Sequence, residues 1–231
     1  MAAKTAAKVK KKRWFEIYAP ALFNEQPVGE TFIVEKEMAV GKTIKVNLME
    51  LMRDIKKQHI LVKLKVIEVK DTKAITEVMS YEIVPSAIKR QVRRRRDKLD
   101  DSFMCRTGDK KLVKIKPIML TAFNAKGSVQ TTLHRAMRRI LAGTLKRLSY
   151  DDILRDLVSG KLQNYLKDNL SRVYPLRYCE IRYCGIALKP SRIIVGETDY
   201  ADDLERLQKA KKDRRQEVGD ESVEEEAKAE E

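Results

Sequence analysis

Long apolar runs are missing from this chain of 231 residues. Its hydrophobic stretches are a handful of residues long, far short of the roughly 20 needed for a membrane-spanning helix. The opening MAAKTAAKVKKKR has no apolar core, so no secretory leader is expected, and it is too poor in Arg and Ser for a mitochondrial presequence. Histidine is scarce, with His59 and His134 alone. Cysteine is limited to Cys105, Cys179 and Cys184. An odd number of thiols at irregular spacing argues against a disulfide framework and fits a reducing, intracellular setting. The paired, closely spaced ligands of a zinc module are absent too. On a strand, Cys179 and Cys184 would point to opposite faces, so buried or half-buried thiols with no metal are expected.

Positive charge is abundant. There are 49 Lys and Arg against 34 Asp and Glu, a formal +15, which points to a polyanionic partner. The surplus is uneven. Residues 1–13 hold six basic side chains and no acid, whereas 216–231 hold eight acids and one lysine. Without that acidic tail the chain carries 48 basic and 26 acidic side chains, an excess of 22. Both ends lack apolar periodicity, so 1–13 reads as a flexible basic arm and 199–231 as a charged helix followed by a disordered acidic tail. Between them, 14–198 reads as one globular body, since 43% apolar residues suffice for a core.

The body starts strand-like. KTIKVNLMEL alternates Ile44, Val46 and Leu48 inward. HILVKLKVIEV does the same from Ile60 to Val66, then changes phase at Ile67 and Val69, which suggests a bulge. Residues 74–84 form a further strand with Ile75, Met79, Tyr81 and Ile83 on one face, after a tight connection at Asp71-Thr72-Lys73. Residues 102–107 and 111–122 read as a hairpin around Thr107-Gly108-Asp109-Lys110, with Gly108 free to take positive φ and Pro117 marking an edge or bulge. Helices are expected from Ser86 to about Asp97 or Leu99, over 130–148, from a Ser149/Asp152 capping box to Gly160, and over 161–173. A strand follows at 180–188. Strands surround helices without βαβ alternation, so the fold class is α+β with mainly antiparallel pairing.

Catalytic signals fail one by one. Gly41-Lys42-Thr43 has the end of a phosphate-binding loop, but Lys36 stands where its first glycine belongs and a strand follows where a helix is needed. No nucleophile motif or clustered acid–base pair exists, so neither an enzyme nor a cofactor is expected. The basic segments are more telling. Residues 89–98 read KRQVRRRRDK, seven basic side chains with Asp97 as the one acid. Guanidinium forks pair with phosphates and stack on bases, which nominates Lys89, Arg90, Arg93, Arg94, Arg95 and Arg96 for RNA. On the 130–148 helix, Arg135, Arg138, Arg139 and Lys146 lie opposite the Leu133–Leu148 apolar stripe and join them. At the start, Lys10, Lys11, Lys12 and Arg13 offer phosphate contacts, and Trp14 can sit outside the core.

At this point the residues resemble a known family. KKRWFEIYAPALFNEQPVGET is similar to the opening signature of the archaeal and eukaryotic small-subunit ribosomal protein family called S-one-e, or S-three-A-e. The matching features are Trp14-Phe15, Ala19-Pro20, Phe23-Asn24 and Gly29. KVNLMELM, the TGDKK hairpin, Gln130-Thr131-Thr132 and Tyr174-Pro175-Leu176 follow in the family's order, and the likeness covers about residues 10 to 200. The short length resembles the archaeal type. The resemblance implies a curved, barrel-like antiparallel sheet flanked by helices. It also implies a structural constituent of the small ribosomal subunit, in the cytoplasm, on the platform near the mRNA exit. Partners would be small-subunit rRNA, neighbouring platform proteins and mRNA near the exit, with no membrane and no small-molecule substrate. A non-ribosomal RNA-binding factor or an RNA-processing enzyme is the alternative.

Overall fold

The structure is a computed structural model and describes residues 12–187; the expected arm up to Lys11, the 199–215 helix and the acidic tail lie outside the described residues. In chain order come β1 (Arg13–Tyr18), β2 (Pro27–Ile33), β3 (Thr43–Asn47), α1 (Leu48–Met52), β4 (Ile60–Lys70) and β5 (Lys73–Ile83). After α2 (Pro85–Gln91) come β6 (Lys98–Asp100), β7 (Phe103–Arg106) and β8 (Leu112–Thr121). Three helices follow, α3 (Gly127–Leu145), α4 (Tyr150–Ser159) and α5 (Lys161–Ser171), and then β9 (Leu176–Ile186).

The nine strands make one sheet. Its main path runs β2-β1-β5-β9-β8-β6, with β4 and β3 on the far edge of β5 and β7 beside β6 on β8. Every pairing is antiparallel except β1 with β5, where Glu16–Tyr18 run alongside Lys73–Ile75. The α+β class is thus observed, but among the described residues the sheet is open and does not close into a barrel. The sheet branches at β5. One of its edges is taken along its length by β4, and the other is divided between β1 and β9.

Two slips in the β4–β5 register explain what periodicity could and could not reveal. The one at Val66/Glu68 is the bulge expected from the phase change on β4. The other was not expected. Lys63 pairs with Ser80 but Leu64 with Val78, so Met79 is looped out of register and the buried face of β5 switches there. Ala74, Thr76 and Val78 face inward before it and Tyr81 and Ile83 after it, leaving Ile75 exposed and Met79 only half buried. On β8, Pro117 falls at a slip against β9 and in the gap between the partners β6 and β7, where its missing N–H costs no ladder bond.

The helices bury leucine stripes. Leu133, Met137, Leu141 and Leu145 of α3, Leu154 and Leu157 of α4, and Leu162, Leu166 and Leu170 of α5 are all within the core, each contributing about 1.5–3 kcal/mol by leaving water. Ser149 caps α4 by accepting from the Asp152 amide, and Gly160 ends it in the left-handed region (φ 79°), as the capping box required. Helix α3 starts one turn before the expected residue 130 because no side-chain cap marks its N-terminus. A second apolar cluster, Phe15, Ile17, Ile33, Ala39, Val66 and Ala74, lies beneath β1 and β2.

Candidate nucleic-acid interface

The arginine run is a loop rather than the expected long helix. Pro85 presets the first turn of α2 one residue before Ser86, which therefore caps nothing. The helix stops at Gln91, Val92 is extended, and Arg95 turns the chain with φ 61°. Asp97 dictates this. Its N–H donates to Thr121 Oγ1 (2.9 Å), its carbonyl accepts from the Thr121 amide (3.1 Å), and Oδ2 accepts from the Ala125 amide (2.6 Å). The backbone that would continue the helix is thus committed to the end of β8 and the approach to α3. The electrostatic result matters more. The single carboxylate of segment 89–98 accepts from a backbone amide, and among the described residues no ion pair joins it to the arginines beside it. Lys89, Arg90, Arg93, Arg94 and Arg95 are exposed, while Arg96 is half buried. Its Nη1 is buried without a hydrogen-bond partner among the described residues.

The face of α3 is divided. Arg135 and Lys146 are exposed, and Arg139 is half buried. Arg138, expected to point outward, instead forks onto Asp101 just after β6, with Nε–Oδ2 at 2.5 Å and Nη2–Oδ1 at 2.8 Å. His134 Nδ1 lies 3.5 Å from the same carboxylate. Burial works against ionisation of Asp101, but the Arg138 fork, the Ser102 amide and His134 outweigh it and hold the carboxyl below its ordinary range. Arg138 is therefore a fastener between α3 and the sheet. Together with the Asp97–Ala125 bond, it places the arginine loop and the start of α3 side by side. Neither acid was identifiable from the sequence as the organiser.

The third group lies at the other end of the sheet path. Arg13 and Trp14 open β1, both exposed, with Lys12 just before them; Lys10 and Lys11 lie outside the described residues. Phe15 and Phe23 are buried, whereas Trp14 is 61% exposed. Its cross-strand partner is Phe32 of β2, 48% exposed, with ring centroids 4.8 Å apart. Lys12 Nζ stands 5.8 Å from the Phe32 ring. Two exposed aromatic rings beside an ammonium make a small aromatic platform, the kind of surface on which unpaired bases can stack. Phe32 carries no local signal in the sequence, and only the β1–β2 register reveals it.

Chemically reactive candidates are sealed in. All three cysteines are buried, and burial pushes each thiol up to about 12. They do not point to opposite faces. A slip at Arg182 leaves Cys179 opposite Met119 and Cys184 opposite Ile115, while Cys105 pairs with Val113. Those three β8 partners alternate along one face, so the thiols share it. Gly41 (φ 85°) turns the chain directly into β3 and the β4 ladder, giving no phosphate-binding helix after Gly41-Lys42-Thr43. Glu180 on β9 carries no local sequence signal; burial lifts its carboxyl to about 7, with Gln163 opposing.

The Ribosomal S3Ae family model matches residues 1–190. Several curated relatives are named small ribosomal subunit protein eS1. That of Nanoarchaeum equitans is 28% identical over 188 residues, covering 81% of this chain and 95% of the relative. That of Methanobrevibacter smithii is 28% identical over 172 residues, covering 74% and 89%. The Halorubrum lacusprofundi protein is 28% identical over 191 residues, covering 83% and 89%.

Proposed function

The chain belongs to the Ribosomal S3Ae family, a structural and non-catalytic family, and from that premise we propose that it is a constituent of the small ribosomal subunit held there by rRNA. In this reading it works in the cytoplasm, on the platform of the subunit near the mRNA exit, beside other platform proteins and within reach of mRNA. The observation that carries the RNA contact is the loop of Arg93, Arg94 and Arg95, whose adjacent carboxylate, Asp97, is turned onto the Ala125 amide. Arginines crowded without counter-ions repel one another, and phosphates relieve that repulsion with charge-assisted forks. Exposed Lys89, Arg90 and Arg135 extend this surface, and Trp14 with Phe32 supplies a separate stacking contact.

The test is sedimentation followed by a binding titration. The protein should remain stoichiometric on small subunits washed in high salt. If six to ten phosphates are contacted, its affinity for isolated small-subunit rRNA should fall by about 10³ to 10⁵ between 50 and 200 mM salt, less steeply on single strands. A protein lost from washed subunits, or an affinity indifferent to salt, overturns the proposal.

A further inference from the structure

A cavity of about 260 Å³ opens where α2 crosses β5, β8 and β9, sharing only Lys89 with the contact residues above. Its apolar lining comes from exposed Pro85 beside buried Ile83 and Ile88. Tyr183 lines it too, and the register sets this residue between Glu82 of β5 and Lys116 of β8. Two residues on, Gly185 leaves the phenol room: a Cβ there would lie 2.9 Å from the Tyr183 hydroxyl and 2.6 Å from Ser80 Cβ. Lys116 Nζ stands 5.2 Å from the centre of the Tyr183 ring, so an ammonium already covers one face of the ring.

The charge is lopsided. Lys89, Lys98, Lys116 and Arg182 line the cavity against Glu82. At the rim, Asp100 holds Lys98 at 3.1 Å and Arg182 at 2.9 Å, fixing two of the cations in place. A bare phosphate would not need the apolar lining or the ring, and a purely apolar ligand would not tolerate the surplus cations. A nucleotide satisfies both, having a flat π-face and an anion. The volume lies just under the usual range for small-molecule sites, roughly 300–1,000 Å³, which favours one nucleotide over a stacked pair.

We propose that this cavity receives a single nucleotide extruded from a single-stranded RNA segment. The base takes the place of the Lys116 ammonium on the Tyr183 ring, with Pro85 beside it, and its phosphate rests on Lys89 and the displaced Lys116. This rests on the RNA-binding reading above and adds a place where one base is captured.

The experiment uses the full chain and hexauridylate, with ultraviolet crosslinking mapped by mass spectrometry and affinity measured by titration. Crosslinks are expected on the peptides containing Pro85 and Tyr183. Tyr183→Leu should weaken hexauridylate binding at least about five-fold, the low end for one base–aromatic stack. Tyr183→Phe, which keeps the ring, should stay close to wild type, and thermal unfolding should be alike for the three proteins. Hexauridylate binding that ignores Tyr183→Leu, with crosslinks elsewhere, overturns the cavity but leaves the rRNA reading intact. Inorganic phosphate competing as well as uridine monophosphate makes the cavity an anion site and also overturns the proposal. Failure of the wild type to bind either hexauridylate or rRNA would bring down both readings.

Discussion

Replacing Arg138 by glutamine separates fastening from RNA contact. The Asp101 side chain is 7% exposed and Arg138 38%, so the change strands a nearly buried carboxylate. Hydrogen bonds to charged groups are worth about 1.5–3 kcal/mol, and breaking a fully buried pair costs about 3–5. The half-exposed guanidinium and the surviving Ser102 amide bond place this case near the lower end, about 2–3 kcal/mol. For a domain of this size that is roughly 4–12 °C in Tm. The carboxyl of Asp101 is held below its unfolded value, so the pair's contribution is present above about pH 4 and is lost as pH falls through the folded value. Urea unfolding at pH 7 should therefore show the full difference between wild type and Arg138→Gln, and the difference should shrink below about pH 4. A double-mutant cycle with Asp101→Asn should give a coupling of about 1 kcal/mol or more. A loss within about 0.5 kcal/mol at pH 7, as for an ordinary surface residue, would refute the fastener.

The triple change Arg93→Gln, Arg94→Gln and Arg95→Gln should leave Tm nearly unchanged or slightly raised. It should flatten the log–log salt slope of rRNA binding by about 0.7–0.9 for each phosphate that is no longer neutralised; an unaltered slope in a filter-binding series would show a merely solvated loop. Trp14 is the sole tryptophan and stands outside the core, so its emission should be quenched as rRNA is titrated in, whereas Trp14→Ala should cost little stability. No spectral response would remove the platform from the interface. The carboxyl of Glu180 is lifted to about 7, above an unfolded value of about 4.3, so the folded state holds its proton more tightly and stability falls as pH rises from about 4 to 7. Glu180→Gln should abolish that fall and stabilise the protein by about 1–3 kcal/mol at pH 8; equal denaturation midpoints for the two proteins at pH 8 would count against it.

Periodicity made the strands legible wherever the register is regular, as from Ile60 to Val66, and a local capping box made α4 legible from Ser149 to Gly160. It failed where an unpaired residue slips the ladder. Met79 on β5 and Arg182 on β9 leave no local mark, yet each reverses which side chains are buried beyond it, and the second brings Cys179 and Cys184 onto one face. The TGDKK turn lies where Gly108 suggests, but for a different physical reason. Lys110, not Gly108, adopts positive φ (60°). Gly108 is needed for close approach, its N–H donating to the Leu148 carbonyl at 2.9 Å, where a Cβ would come within 3.2 Å. The arginine run was recognised as a unit, but its conformation depends on Thr121 and Ala125, far along the chain. Composition could identify which segments carry charge. It could not tell that Asp101 commits Arg138 to the fold.

The forked pairing of β5 also fixes an order of manufacture. β9 lies between β5 and β8 in the main path, so the last described strand joins the N-terminal and C-terminal portions of the sheet. Ser80 meets its partner Gly185 only after about a hundred further residues have been added, roughly 5–20 s at ordinary elongation rates. During that interval the β4–β5 hairpin can form and β1 can settle beside its first residues, but the rest of the second β5 edge waits open. An unpaired edge next to a growing polybasic chain is prone to wrong partners. A message truncated before the Leu176 codon would therefore yield two half-sheets with nothing between them, a product for the cell to degrade rather than a shortened version of the protein.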